Sequence, residues 1–184
     1  MDNQTGIVQL RLEIATQMIC YEARTSTIRL ATGLTEDQIR RLYRLARKVG
    51  SVTLIQRHRG RSPTRAAQYT RNAGAQLEAS ILASVLAKHA LLRDQYGSRS
   101  RNVYYAQRFC TAYGEYLLLA HQQPLTFEQA WHFAHTLVAR RELYLQHCAR
   151  CASHFVRNNA TVLRGQCPFC RLHERSLGCD HLYQ

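Results

Sequence analysis

Two C-x-x-C pairs, Cys148-Ala-Arg-Cys151 and Cys167-Pro-Phe-Cys170, stand fifteen residues apart near the end of this 184-residue chain. No other feature restricts its folding so sharply. A C-x-x-C turn lets both sulfurs face one ion, and two such turns at this spacing fit a structural site built from two knuckles. Four thiolates close a tetrahedral shell and leave no open position for water, which argues against a catalytic metal. The expected cofactor is therefore one structural Zn2+ per chain, held by Cys148, Cys151, Cys167 and Cys170. The intervening HFVRNNATVLRGQ predicts a short hairpin through Asn158-Asn159 that returns the second knuckle beside the first.

Two other readings of the cysteines compete. A thioredoxin-type redox pair needs a βαβ context, which the sequence does not offer, and two disulfides need an oxidising compartment. The N-terminus MDNQTGIVQLRLEIA lacks a basic start and a continuous apolar stretch, and no run of eighteen apolar residues occurs. The expectation is a cytoplasmic protein with reduced thiols and no membrane partner. His147, His154, His173, Cys179 and His181 lie close enough in sequence for one of them to replace or shadow a cysteine ligand; the ligand set retained is the four cysteines. Cys20 and Cys110 read as buried thiols.

The net charge of +13 is unevenly distributed. Residues 38–77 hold ten basic side chains and no acidic one, and nine of the ten are arginine. The planar guanidinium suits phosphate and the guanine edge, so a nucleic-acid face is the functional reading. A solubilising surface is the bland alternative, although such surfaces interleave both signs.

Apolar spacing is helical through most of the chain, and 46% apolar residues suffice for a core. Ile7, Leu10, Ile14, Met18 and Cys20 or Tyr21 form one stripe of an opening amphipathic helix. TSTIRLATGLTEDQIRRLYRLARKVG then reads as a short helix, a Gly33-Leu34 turn and a second helix opened by a Thr35/Gln38 capping box and ended by Gly50. This is helix-turn-helix grammar. Ile39, Leu42, Leu45 or Ala46, and Val49 turn inward, leaving Arg40, Arg41, Arg44, Arg47 and Lys48 for a major groove. A core hairpin with a basic outer face is the alternative. The following basic loop or wing offers Arg57, Arg59, Arg61 and Arg65 to phosphates.

Further helices are expected through Leu77, Ile81, Leu82, Val85, Leu86 and Leu92, as core or partner interface, and over 102–120, where Tyr104, Tyr105, Phe109, Tyr113 and Tyr116 form an aromatic packing stripe. Past Pro124, Thr126 with Gln129 forms a second capping box, and FEQAWHFAHTLVARRELYL is expected to run as helix into the cysteines. His132 and His135 sit three apart on it and read as satisfied histidines more than ligands, with no carboxylate pattern nearby. The expected fold is mainly α: a helical DNA- and partner-binding domain over 1–144 with a helix-turn-helix-like element, and a zinc-ribbon-like module with a short β-hairpin over 145–184.

An opening helix, the helix-turn-helix around LATGLTEDQIRRLYRLARKVG, a helical middle, LTFEQAWHFAHTLVARRELYLQHCARC and CPFC follow one another in an order that resembles the FlhC family of bacterial flagellar regulators, over roughly residues 5–172. The resemblance implies a non-enzymatic DNA-binding activator subunit that works with FlhD, as a heterohexamer with two copies of this chain, at promoters of flagellar operons, where it recruits RNA polymerase. It also implies a structural zinc on Cys148, Cys151, Cys167 and Cys170. An RNA-binding zinc protein would interleave aromatics with the arginines, yet residues 38–77 contain only Tyr43 and Tyr69. A zinc deaminase would need H-x-E ahead of P-C-x-x-C, and that order is missing. A zinc-stabilised scaffold without sequence-specific DNA binding is the remaining alternative.

Overall fold

Gly33 marks the turn between the second and third helices, and its neighbourhood shows how local sequence builds this protein. The structure is a computed structural model that describes residues 2–48, 65–92, 102–139, 142–159 and 167–179. Helix α1 (Asp2–Cys20) leads to α2 (Thr25–Thr32) and α3 (Glu36–Lys48). Gly33 closes α2 at φ +72°, and its N–H donates to the Arg29 carbonyl at 2.9 Å, the left-handed cap that glycine adopts without a Cβ penalty. The capping box that opens α3 is present: Gln38 Oε1 accepts the Thr35 N–H at 2.9 Å, and Thr35 Oγ1 accepts the Gln38 N–H at 3.3 Å.

A short 3-10 turn (Ala66–Thr70) precedes α4 (Ala73–Lys88), α5 (Val103–Leu119) and α6 (Phe127–Ala139). Asn72 caps α4 through Ala75 N–H, Asn102 caps α5, and Thr126/Gln129 forms the second expected capping box at α6. The aromatic stripe of α5 packs as expected. Phe109 meets Trp131 edge-on at 4.8 Å and Phe127 at 5.4 Å, and Tyr113 meets Phe127 at 5.1 Å, the geometry that ring quadrupoles favour. Tyr104 is the exception and faces solvent. On α5, Gly114 makes room for Tyr21, just past α1: a Cβ there would lie 2.7 Å from the Tyr21 hydroxyl oxygen.

Three expectations require correction. Helix α6 does not reach the cysteines; it ends at Ala139, and Leu143–His147 form strand β1. β-branched and aromatic residues are sparse there, but Leu143 enters the core while Tyr144 lies on the opposite face, the alternation a strand provides. The described hairpin pairs β1 with β2 (His154–Asn158) and its connection is the first cysteine knuckle; Asn158-Asn159 lies at the end of β2, and the return arm expected after it, 160–166, lies outside the described residues. Cys20 is exposed because Ala15, Met18 and Ile19 occupy the inward positions of α1; Cys110 is buried as expected, and burial pushes its thiol up to about 12.

A last helix, α7 (Pro168–Cys179), follows the second cysteine pair. The expected division at 144/145 falls within β1. Leu143 and Val156 belong to the same hydrophobic cluster as the helices, and β2 packs along α4. Among the described residues no helix is long and apolar enough to cross a membrane.

Candidate metal centre and nucleic-acid interface

The four cysteines converge on one point. Cys148 and Cys151 lie in the turn between β1 and β2, where Cys148 N–H donates to the Ser153 carbonyl and Ala152 N–H to the Cys148 carbonyl, both at 2.9 Å. Ala152 sits at φ +58°, the left-handed residue that lets this tight turn close. Cys167 stands immediately before α7, and Pro168 occupies the first helical position, where a missing N–H costs nothing. The sequence CPFC therefore acts as a helix start, with Cys170 in the first turn.

All four sulfurs lie within 4.8 Å of one another, with Cys148–Cys170 at 3.7 Å and Cys151–Cys167 at 3.6 Å. A tetrahedral shell with metal–sulfur bonds of about 2.3 Å has an edge of about 3.8 Å. Two of the sulfur–sulfur distances match that edge and the rest stay within 4.8 Å, so these cysteines could hold a metal ion.

The surroundings favour a thiolate at Cys151 and oppose one at Cys167 and Cys170. The Ser153 N–H and hydroxyl donate to Cys151 and bring its thiol down to about 6. Burial pushes Cys167 up, against the N–H groups of Cys170 and Phe169 that donate to its sulfur. The Cys170 thiol is pushed up to about 12, first by its hydrogen bond to the Cys151 sulfur and then by burial. One negative sulfur discourages a second until a cation supplies the compensating charge, so ion binding and proton release are coupled. Arg150, between the first two cysteines, pairs with Glu174 of α7 and ties the knuckle to that helix.

The arginines predicted for DNA divide into several groups. Arg40, Arg41 and Arg44 all lie on the exposed side of α3. Arg40 is held by Glu36 at 3.3 Å and Asp37 at 3.2 Å, whereas Arg41 and Arg44 have no ion-pair partner among the described residues. Arg47 and Lys48 fall in the last turn of α3. Arg65 caps the 3-10 turn and is exposed. Arg57, Arg59 and Arg61 lie outside the described residues.

The inner face of α3 is set by Ile39, fully buried, and Tyr43, whose hydroxyl donates to the Ala23 carbonyl at 2.7 Å. Leu45, expected inward with Ala46 as its alternative, is 58% exposed, because Tyr43 takes the central inward position. Behind this unit Glu128 is buried in the first turn of α6. Its carboxylate accepts the Arg24 N–H at 2.8 Å and the Thr27 hydroxyl at 3.0 Å, fixing the start of α2. Nothing in the sequence signals this contact beyond an acidic residue in a capping turn.

His132 is a satisfied histidine, as expected: Nδ1 lies 2.9 Å from the Tyr69 hydroxyl, and burial lowers its pKa. His135 Nδ1 lies 2.7 Å from the Trp131 carbonyl. Neither joins the metal-competent group. Comparison of the chain with protein-family models and with curated proteins found no match.

Proposed function

We propose that this chain is a DNA-binding subunit of a transcriptional activator of the FlhC kind, acting with FlhD at flagellar promoters and recruiting RNA polymerase through protein contacts. One observation carries the reading. The longest acid-free stretch of the chain, which is also the richest in arginine, begins on α3, where Arg41 and Arg44 project from a helix whose opposite face is locked into the core by Ile39 and Tyr43. In this reading α2, the Gly33 turn and α3 act as a helix-turn-helix with α3 in the major groove. Arg40, Arg41, Arg44, Arg47, Lys48, Arg57, Arg59, Arg61 and Arg65 supply phosphate neutralisation and a few base contacts. The four cysteines hold Zn2+ as a structural clip, because borderline thiolate chemistry and tetrahedral spacing suit that ion.

The test is purification with and without FlhD, followed by a salt-titrated mobility-shift assay on flagellar promoter DNA against random duplex. The expected result is tighter binding to the promoter at every salt concentration. Equal affinity for both duplexes in the complex overturns the activator reading. Affinity for single-stranded RNA above duplex DNA redirects it to the RNA-binding class.

A further inference from the structure

His147 and His154 face each other across the hairpin at its knuckle end. They are register partners in the antiparallel ladder. The bonds Asn159 N–H to Glu142 carbonyl and Cys148 N–H to Ser153 carbonyl place the hydrogen-bonded pairs at 142/159 and 148/153. With the period of two along each strand, 147/154 is then a non-hydrogen-bonded pair, the position where opposed side chains come closest. Both residues are exposed, and their ring centroids are 5.2 Å apart with planes at 66°. Among the described residues neither imidazole has a hydrogen-bond or ion-pair partner.

Two imidazoles ligating one ion at metal–nitrogen distances of about 2.0–2.1 Å, and at an angle of about 90–110°, hold their ring centroids about 4.6–5.3 Å apart. The observed separation lies inside that range. A strand pair also fixes both Cβ atoms, so chelation orders only the side-chain torsions. We propose that His147 and His154 form a second metal site, distinct from the four cysteines, that takes a borderline divalent transition ion such as Ni2+ or Zn2+. With two protein ligands the site is solvent-open, and water completes the shell. Its consequence is a cross-strand clamp beside the first knuckle, so that the hairpin is braced on one side by thiolates and on the other by imidazoles.

The experiment uses the full chain carrying one zinc per molecule, titrated with Ni2+ by equilibrium dialysis with elemental analysis, alongside imidazole NMR signals. The expected outcome is uptake of one Ni2+ per chain without zinc release, with the His147 and His154 resonances broadened before those of the other histidines. His147→Ala and His154→Ala, and the milder His154→Gln, each lose the Ni2+ equivalent while keeping the zinc; His121→Ala loses neither. Retained zinc in each variant shows that the knuckle still folds. The proposal is overturned by no Ni2+ uptake, by uptake only through displacement of zinc, or by uptake that persists in both His147→Ala and His154→Ala. Broadening that begins at other histidines overturns it as well, and this readout needs no variant.

Discussion

The α2–α3 unit and the β1–β2 hairpin are attached to the same helical core by opposite means. The α2–α3 unit is fastened by a buried carboxylate at a helix start, Glu128 against Arg24 N–H and Thr27, and by an apolar face centred on Ile39. The hairpin is fastened through its own backbone. Val156 sits in a non-hydrogen-bonded pair with Leu145, so its N–H and carbonyl point away from β1. Ser80 Oγ accepts that N–H at 3.0 Å, and Gln76 Nε2 donates to that carbonyl at 3.0 Å. Two polar side chains of α4 thus cover the free edge of a two-stranded sheet that could not stand alone. The helix pair asks for an outside backbone partner only at the start of α2, where Glu128 accepts the Arg24 N–H, whereas the hairpin must find partners along its edge and a clip for its end.

That contrast can be broken at the clip first. Removing the ion with a chelator, or substituting Cys151→Ser, is expected to unfold the knuckle, β1, β2 and α7 while α1–α6 persist. A bound structural zinc contributes on the order of 10 kcal/mol to such a module. Amide hydrogen exchange resolved by segment checks this; simultaneous loss of protection in α1–α6 would show that the hairpin and the core form one cooperative unit.

At the other anchor, Glu128→Ala leaves the Arg24 N–H and the Thr27 hydroxyl without their charged acceptor. The expected loss is about 2–3 kcal/mol in urea unfolding, with α2 and α3 losing exchange protection before the hairpin does. Ser80→Ala is milder, about 1–2 kcal/mol, because one neutral acceptor is removed from a buried N–H. Its signature is faster exchange at Val156 with α3 unaffected. Equal effects of the two substitutions on both regions would mean that the anchors are not independent.

The smallest stability effect is expected on the exposed face of α3. Arg44→Ala should change stability by no more than about 0.5 kcal/mol. It should lower the slope of log K against log salt by about 0.9 if it neutralises one phosphate. Arg40→Ala should lower that slope less, since Glu36 and Asp37 already engage the guanidinium. A reversed order would place the DNA-facing side of α3 nearer Arg40.

Helix starts were legible because capping is local: Thr35/Gln38 and Thr126/Gln129 satisfy orphan N–H groups within four residues, and both boxes formed as read. The cysteine spacing was legible because coordination geometry tolerates few separations. Strand β1 was not, since LYLQH continues an apolar helical pattern and becomes a strand only by pairing with HFVRN across the knuckle. Cys20 was misplaced, and the choice between Leu45 and Ala46 fell to Ala46, for a related reason. A periodic stripe fixes a helix face only to within about one residue, and Ile19 and Tyr43 fitted the available space better. The α4 edge contacts were invisible, because Gln76 and Ser80 in an apolar helix look like interruptions until a strand edge lies against them.

The sequence by itself determined where helices begin, which four sulfurs could meet, and that positive charge is concentrated in residues 38–77. Those follow from bonds and charges that act within a few residues or whose geometry is stringent. Tertiary structure decided which side of α3 is free, that the first knuckle is the hairpin turn, and that two exposed histidines stand opposite each other beside it. Each of these depends on pairing between segments distant in sequence, where the outcome is set by competition for buried space and unpaired backbone groups, which no local pattern encodes.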